Sequence, residues 1–270
     1  MNLKQKKTLL QNHPYHLVNP SPWPLFTSFC LWNLTTSFVM YIHGFEYMNF
    51  VFLVAIINLV WSMILWFRDI VSEATFLGNH THAVQLGINM GVGLFIVSEV
   101  FFFLAIFWAF FHSSLSPNIE LGAQWPPIGI QAINPFELPL LNTVLLLSSG
   151  VTVTLAHHSL IAGDRKKALI GLILTVNLAI LFTILQYVEY SVSSFTISDG
   201  VFGSCFYFGT GFHGFHVIIG TVFLLVGLLR LFVYHLTDHH HLGLETGILY
   251  WHFVDIVWLF LYLSIYYWGC

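Results

Sequence analysis

The side chains able to do chemistry in this 270-residue chain are an acid, several histidines and three cysteines. Glu99 is the thirteenth of the 25 residues in an apolar run from Gly87 to Phe111. A charge at the centre of a bilayer costs ~2.5–3.5 kcal/mol on insertion scales, so a carboxyl there has to be neutralised, paired or turned into a bundle interior. It reads either as an acid hydrogen-bonded between helices or as a proton-handling, ligand-facing group. His213 and His216 stand three residues apart, on one side of a helix, as do His252 and Asp255. The histidine pair could contribute to a metal site but cannot close one, and interhelical hydrogen bonding is the simpler reading. The His252–Asp255 pair neutralises itself and reads as structural glue.

Two histidine runs call for a separate test. His157-His158 closes one apolar run, and His235, His239, His240 and His241 follow another. The second resembles one box of the membrane di-iron hydroxylases, which need several boxes. Here the partners of His157 are missing and His80-x-His82 has the wrong spacing, so the hydroxylase stands as an alternative reading only. A proton-coupled transporter built on Glu99 is another. Histidines and arginines at span ends read more simply as contacts to anionic lipid head groups. Cys30, Cys205 and Cys270 form no CxxC, zinc-finger or iron–sulfur spacing. No residue set is assigned to a metal and none to a catalytic centre.

The elements that must carry these groups follow from composition. Hydrophobic residues make up 57% of the chain and charged residues 7%, against ~25% charged in soluble domains. So few charges cannot cover a soluble surface, which excludes a soluble enzyme, a nucleic-acid binder and a disordered chain. An all-α, polytopic membrane protein remains. Spanning helices need ~20 mostly apolar residues, and seven runs qualify: Trp23 to Tyr41, Phe50 to Phe67, Gly87 to Phe111, Leu138 to Ile161, Leu169 to Val188, Val201 to Phe232 and Ile248 to Trp268. The long connection from His112 to Glu137 holds Trp125-Pro126-Pro127 and reads as an ordered loop. Residues 1–22 form an N-terminal segment and 23–270 the membrane domain, with the first two helices over about 23–73 and the other five over about 83–268.

With seven spans, all eight basic residues (Lys4, Lys6, Lys7, Arg68, Arg165, Lys166, Lys167 and Arg230) fall on one side. The positive-inside rule makes this the N-terminal, cytoplasm-like side and puts the C-terminus opposite. Asn33 and Asn79 open N-x-T triplets, one inside a span and one on the basic side, and are set aside as glycosylation sites. The N-terminus lacks the apolar or Arg-rich stretch of a cleavable presequence, so the expectation is insertion through the helices themselves or synthesis where the protein is used. A retinal protein is excluded by the lack of a lysine in the last span. A G-protein-coupled receptor would carry more loop charge and an outer disulfide.

Several long strings resemble subunit III of the haem–copper cytochrome c oxidases in its mitochondrially encoded form. They include Asn19-Pro20-Ser21-Pro22-Trp23-Pro24, Trp66 to Thr81, Ser98 to Pro117, Trp125 to Ile130, Pro139 to Thr143, His157 to Lys166, Phe195 to Tyr207, Gly209 to Gly220 and Tyr250 to Gly269. The resemblance covers about residues 13–270. It implies seven helices in two groups, I–II and III–VII, around a V-shaped lipid cleft, and a core subunit without redox centres.

The oxidase reduces O2 with electrons from cytochrome c and pumps protons, with haem and copper in partner subunits. This chain would stabilise subunit 1, hold structural phospholipids including anionic lipid, and support proton uptake. Its place would be the mitochondrial inner membrane, with the N-terminus in the matrix and the C-terminus in the intermembrane space. Glu99 matches the family's cleft-facing carboxyl, and His216, Trp66, Glu73 and His80 match cleft-side or lipid-side positions. Arg68 and Arg230 suit lipid phosphates. The family's frequent second arginine is here Ser72. His13 and His16 would lie at the proton-uptake surface, where imidazoles suit proton relay, although His16 reads equally as an anchor for the first span.

Overall fold

A computed structural model describes residues 13–269. Lys4, Lys6, Lys7 and Cys270 lie outside the described residues. Seven helices in it are long and apolar enough to cross a membrane. They are α1 (Trp23–Ile42), α2 (Met48–Thr75), α3 (His82–Leu115), α4 (Leu138–Ile161), α5 (Arg165–Val192), α6 (Gly200–Phe232) and α7 (Leu242–Leu261), the last continuing as a π-helical stretch over Tyr262–Tyr267. No strand occurs among the described residues. The 112–137 connection holds only the end of α3 and a 3-10 turn at Ile119–Leu121 before α4 begins.

The helices overrun the apolar runs that announce them. Hydropathy stops where charge starts, whereas a helix stops at a backbone breaker. α2 therefore continues through Arg68, Asp69 and Glu73 to Thr75, just short of Gly78. α5 starts at Arg165 and ends at Val192, instead of running from Leu169 to Val188. α7 starts at Leu242 and not at Ile248. Pro24 and Pro139 sit in the first turns of α1 and α4, where their missing N–H costs nothing. The α4–α5 turn needs a residue with φ of 77°, supplied by Gly163. Asp164 then caps α5 by accepting from the Lys167 amide at 3.2 Å.

The chain divides into two compact units between Ile88 and Asn89, within α3. In the first, α1 and α2 pair through small and hydroxyl side chains. Thr27, Cys30, Ser37, Ala55 and Ser62 are buried, and the Thr27 and Ser62 hydroxyls meet at 2.7 Å. Apolar lipid offers helices no hydrophobic reason to associate, so close approach and interhelical hydrogen bonds do this work.

The second unit is built the same way around a larger aromatic core. α4 and α5 approach where Gly171 faces Ala156, and the Thr152 and Thr175 hydroxyls bond at 2.8 Å. α7 is the most enclosed helix, with Trp251 and Trp258 almost fully buried. Their indole N–H groups donate to Ser149 and Thr143 of α4, each at 2.9 Å. The outward faces are apolar, as lipid requires: Leu94, Phe101, Leu104 and Trp108 all stand exposed on α3.

Candidate functional site

Glu99 lies near the middle of the 34-residue α3, and His216 lies on α6. Their side chains meet, with His216 Nε2 3.0 Å from Glu99 Oε2. The other ring nitrogen, Nδ1, is 2.7 Å from the Phe212 carbonyl one turn earlier. That carbonyl can only accept, so Nδ1 carries a proton. The neutral ring then offers Nε2 as an acceptor, which needs the proton on Glu99; if the proton moves to the imidazole, the bond becomes an ion pair. The couple can thus hold one proton in two places. Phe103 and Phe253 meet the imidazole edge-on and Tyr250 stacks on it at 6.2 Å. The carboxyl opens into a groove of about 390 Å³ lined by Phe95, Phe102, Phe212, Phe215 and Phe223. An aromatic groove with one acid–imidazole couple on its wall suits apolar chains or small apolar molecules, and the couple with the Tyr250 hydroxyl supplies its polar points.

His213 does not converge with His216. It is buried, and its Nε2 lies 3.2 Å from the Val254 carbonyl of α7. The two histidines therefore link α6 to different helices, as the hydrogen-bonding reading anticipates. His252 and Asp255 lie 3.9 Å apart, too far for a hydrogen bond, and His252 leans to the Thr154 hydroxyl at 3.4 Å. Asp255 instead presses on α4, where a Cβ on Gly150 would come within 2.7 Å of its Oδ2.

One polar cluster escapes the sequence reading. Glu189, one residue past the apolar run that ends at Val188, is fully buried inside α5. Its Oε1 accepts from Tyr266 Oη at 2.6 Å and from Gln186 Nε2 at 3.1 Å, and Asn142 of α4 donates to Gln186 at 3.3 Å. Glu99 is thus not the only acid demanding explanation within the bundle. The i,i+3 spacing of Gln186 and Glu189 was the available signal.

In the first unit, Trp66 is half-buried on α2 and His13 is exposed. Arg68 pairs with Asp69 at 2.8 Å, and Asp69 also accepts from the Trp23 indole at 2.5 Å. An arginine read as a lipid contact is therefore shared with its own neighbour. Glu73 and His80 are half-buried, and His16 joins them: the ligand atoms of all three lie within 4.8 Å of one another. His82 starts α3 and is exposed.

The basic span ends are also employed within the protein. Arg230 is half-buried, with its guanidinium packed where Gly243 leaves room at the start of α7. Arg165 donates to the Leu231 carbonyl at 3.1 Å and the Phe232 carbonyl at 2.6 Å, and lies 3.6 Å over the Tyr234 ring. A cation thus closes the C-terminal end of α6, where carbonyls lack partners, a role that sequence spacing does not reveal. Lys167 pairs with Asp164 at 2.9 Å, and the Lys167 side chain and amide hold the Asp164 carboxyl below its ordinary range. His157 packs edge-on against His241 at 5.5 Å, but among the described residues the histidine runs form no cluster of three metal-ligating groups.

A family model described as "Cytochrome c oxidase subunit III" matches residues 13–270. Cytochrome c oxidase subunit 3 of Emericella nidulans is 72% identical over 265 residues, covering 98% of each chain. That of Trichophyton rubrum is 71% identical over 269 residues, covering 100% of each, and that of Podospora anserina is 71% identical over 259 residues, covering 96% of each. Neither the hydroxylase nor the transporter alternative finds support in these relatives.

Proposed function

We propose a role on one premise: the chain belongs to the cytochrome c oxidase subunit III family. It is a multispan membrane subunit of an oxidoreductase complex and associates with the other subunits of that complex. Within it, we assign this chain a non-redox role: it stabilises subunit 1, binds phospholipid and supports proton uptake, while haem and copper reside in partner subunits. His213 and His216 are each committed to protein partners, the Val254 carbonyl and Glu99, which supports leaving redox groups to other chains. The location is the mitochondrial inner membrane, with the N-terminus in the matrix and the C-terminus in the intermembrane space. The one-sided basic residues support that orientation.

The observation that carries the reading is the 3.0 Å Glu99–His216 contact on the wall of an aromatic groove. Inside the membrane such a couple has two uses. It can hold a proton between carboxyl and imidazole, and it can offer one polar anchor to a molecule lying in an apolar groove. Trp66, Glu73 and His80 belong to the lipid-side surface of the first unit, Arg68 and Arg230 to the phosphate level, and His13 and His16 to the proton-uptake surface. In the oxidase complex, Glu99→Gln tests the reading through proton uptake, retained lipid and the number of turnovers before activity decays. A loss in at least one is expected. A variant equal to the parent in all three removes Glu99 from function.

A further inference from the structure

Outside that couple, one side-chain cluster is arranged for a ligand of a different class. We propose that His16, Glu73 and His80 form a binding site for a divalent transition-metal ion of the zinc type, clamping the N-terminal segment to the end of α2. The three donors come from separate stretches: the segment before α1, the last turn of α2, and the α2–α3 connection. Their ligand atoms all lie within 4.8 Å of one another. Zinc–nitrogen and zinc–oxygen bonds of about 2.0–2.2 Å put tetrahedral donors about 3.4 Å apart. The widest pair thus has to close by at most about 1.4 Å, which side-chain rotation supplies without moving a helix. The rings of His16 and His80 are tilted by 58° with centroids 6.0 Å apart, so they flank a common point rather than stack.

The backbone beneath the three donors is already tied together. The Thr81 hydroxyl donates to the Pro14 carbonyl, joining the N-terminal segment to the connection that carries His80. The Asn79 amide donates to the Glu73 carbonyl at 3.1 Å, and Gln85 Nε2 donates to the His80 carbonyl at 2.9 Å. The donor-bearing residues are therefore positioned before any ion arrives, which reduces the ordering cost of binding. Two imidazoles and one carboxylate select against calcium and magnesium, which want oxygen donors, and favour zinc with a fourth position left to water. All three groups are partly buried, so such an ion would be shielded yet reachable.

The test uses the purified oxidase complex, freed of loosely held metal by a chelator and equilibrated with zinc ions. His16→Gln, Glu73→Gln and His80→Gln are compared with the parent and with His43→Gln in the α1–α2 connection. Losing a group that only hydrogen-bonds a ligand costs a metal site roughly 10–100-fold, so losing a ligand itself should cost at least tenfold in affinity. The expected result is that each of the three variants loses one zinc equivalent that the parent and His43→Gln retain. Zinc binding equal to the parent in the three variants overturns the site. His16 precedes the first helix, so His16→Gln decides the matter alone if a variant in α2 fails to assemble.

Discussion

Replacing Gly171 by alanine should loosen the α4–α5 pair more than any single methyl group elsewhere on α5. A Cβ built there would stand 2.8 Å from Ala156 Cβ, 3.0 Å from the Thr152 carbonyl oxygen and 3.1 Å from Ala156 Cα. These are helix backbone and its first side-chain atom, and none can rotate away. Ordinary contact begins at 3.4 Å, so the helices must part by about 0.6 Å. Overpacking of this kind costs about 1–3 kcal/mol. The 2.8 Å Thr152–Thr175 hydroxyl contact, one turn away, is stretched with it; interhelical hydrogen bonds in membranes average about 0.6 kcal/mol. The sum is about 2–4 kcal/mol. The assay is thermal unfolding of the purified complex, read by release of this chain. Gly171→Ala should lower the transition, and adding Ala156→Gly, which removes the nearest obstacle, should restore part of the loss. A single variant as stable as the parent, or a second substitution that worsens the first, would refute the packing argument.

Other consequences concern polar groups. Arg165→Ala removes the donor to the Leu231 and Phe232 carbonyls and should destabilise the α6 end by about 1.5–3 kcal/mol; Arg165→Lys recovers only part of it, because an ammonium lacks the planar fork. Limited proteolysis of the α6–α7 connection reads both. Glu189→Gln keeps an acceptor for Tyr266 and Gln186 and should assemble, whereas Glu189→Ala takes the 2.6 Å acceptor from the buried Tyr266 hydroxyl, leaves Gln186 only its 3.5 Å contact to Tyr266, and should lower the yield of complex sharply. Asp164, whose carboxyl is held below the ordinary 3.8, stabilises the start of α5 fully above that value and loses the contribution as pH falls through its lowered value. Accordingly, Asp164→Asn should be less stable than the parent by a constant amount from pH 5 to 8, a window chosen about the ordinary carboxylate range. The difference should close only in stronger acid; a gap that closes already near neutral pH would be the wrong sign.

Much of this architecture can be read before any coordinates. Seven predominantly apolar runs announce seven helices because lipid permits little else, and Glu99 stands out because its run contains no other charge. What stays hidden is where helices end and which distant groups meet. α5 passes beyond Val188, so Glu189 looks like a span-end acid although it is fully enclosed. Arg165 looks like a lipid contact from its position beside a span, yet its guanidinium turns to the carbonyls of α6. The Glu99–His216 contact joins residues far apart in the chain, and each signals only that a polar side chain in a membrane needs a partner. His16 and His80 are likewise separated by the α1–α2 hairpin, and no spacing rule spans such a gap.

The central claim, that Glu99 and His216 act as one functional couple, is tested most directly by a double-mutant cycle in the oxidase complex. Glu99→Gln, His216→Gln and the double variant are compared for the number of turnovers completed before activity decays. If the 3.0 Å couple is the working unit, either single change shortens that lifetime and the double variant is no worse than the more severe single. Independent, multiplying losses, or full lifetime in both single variants, would contradict it.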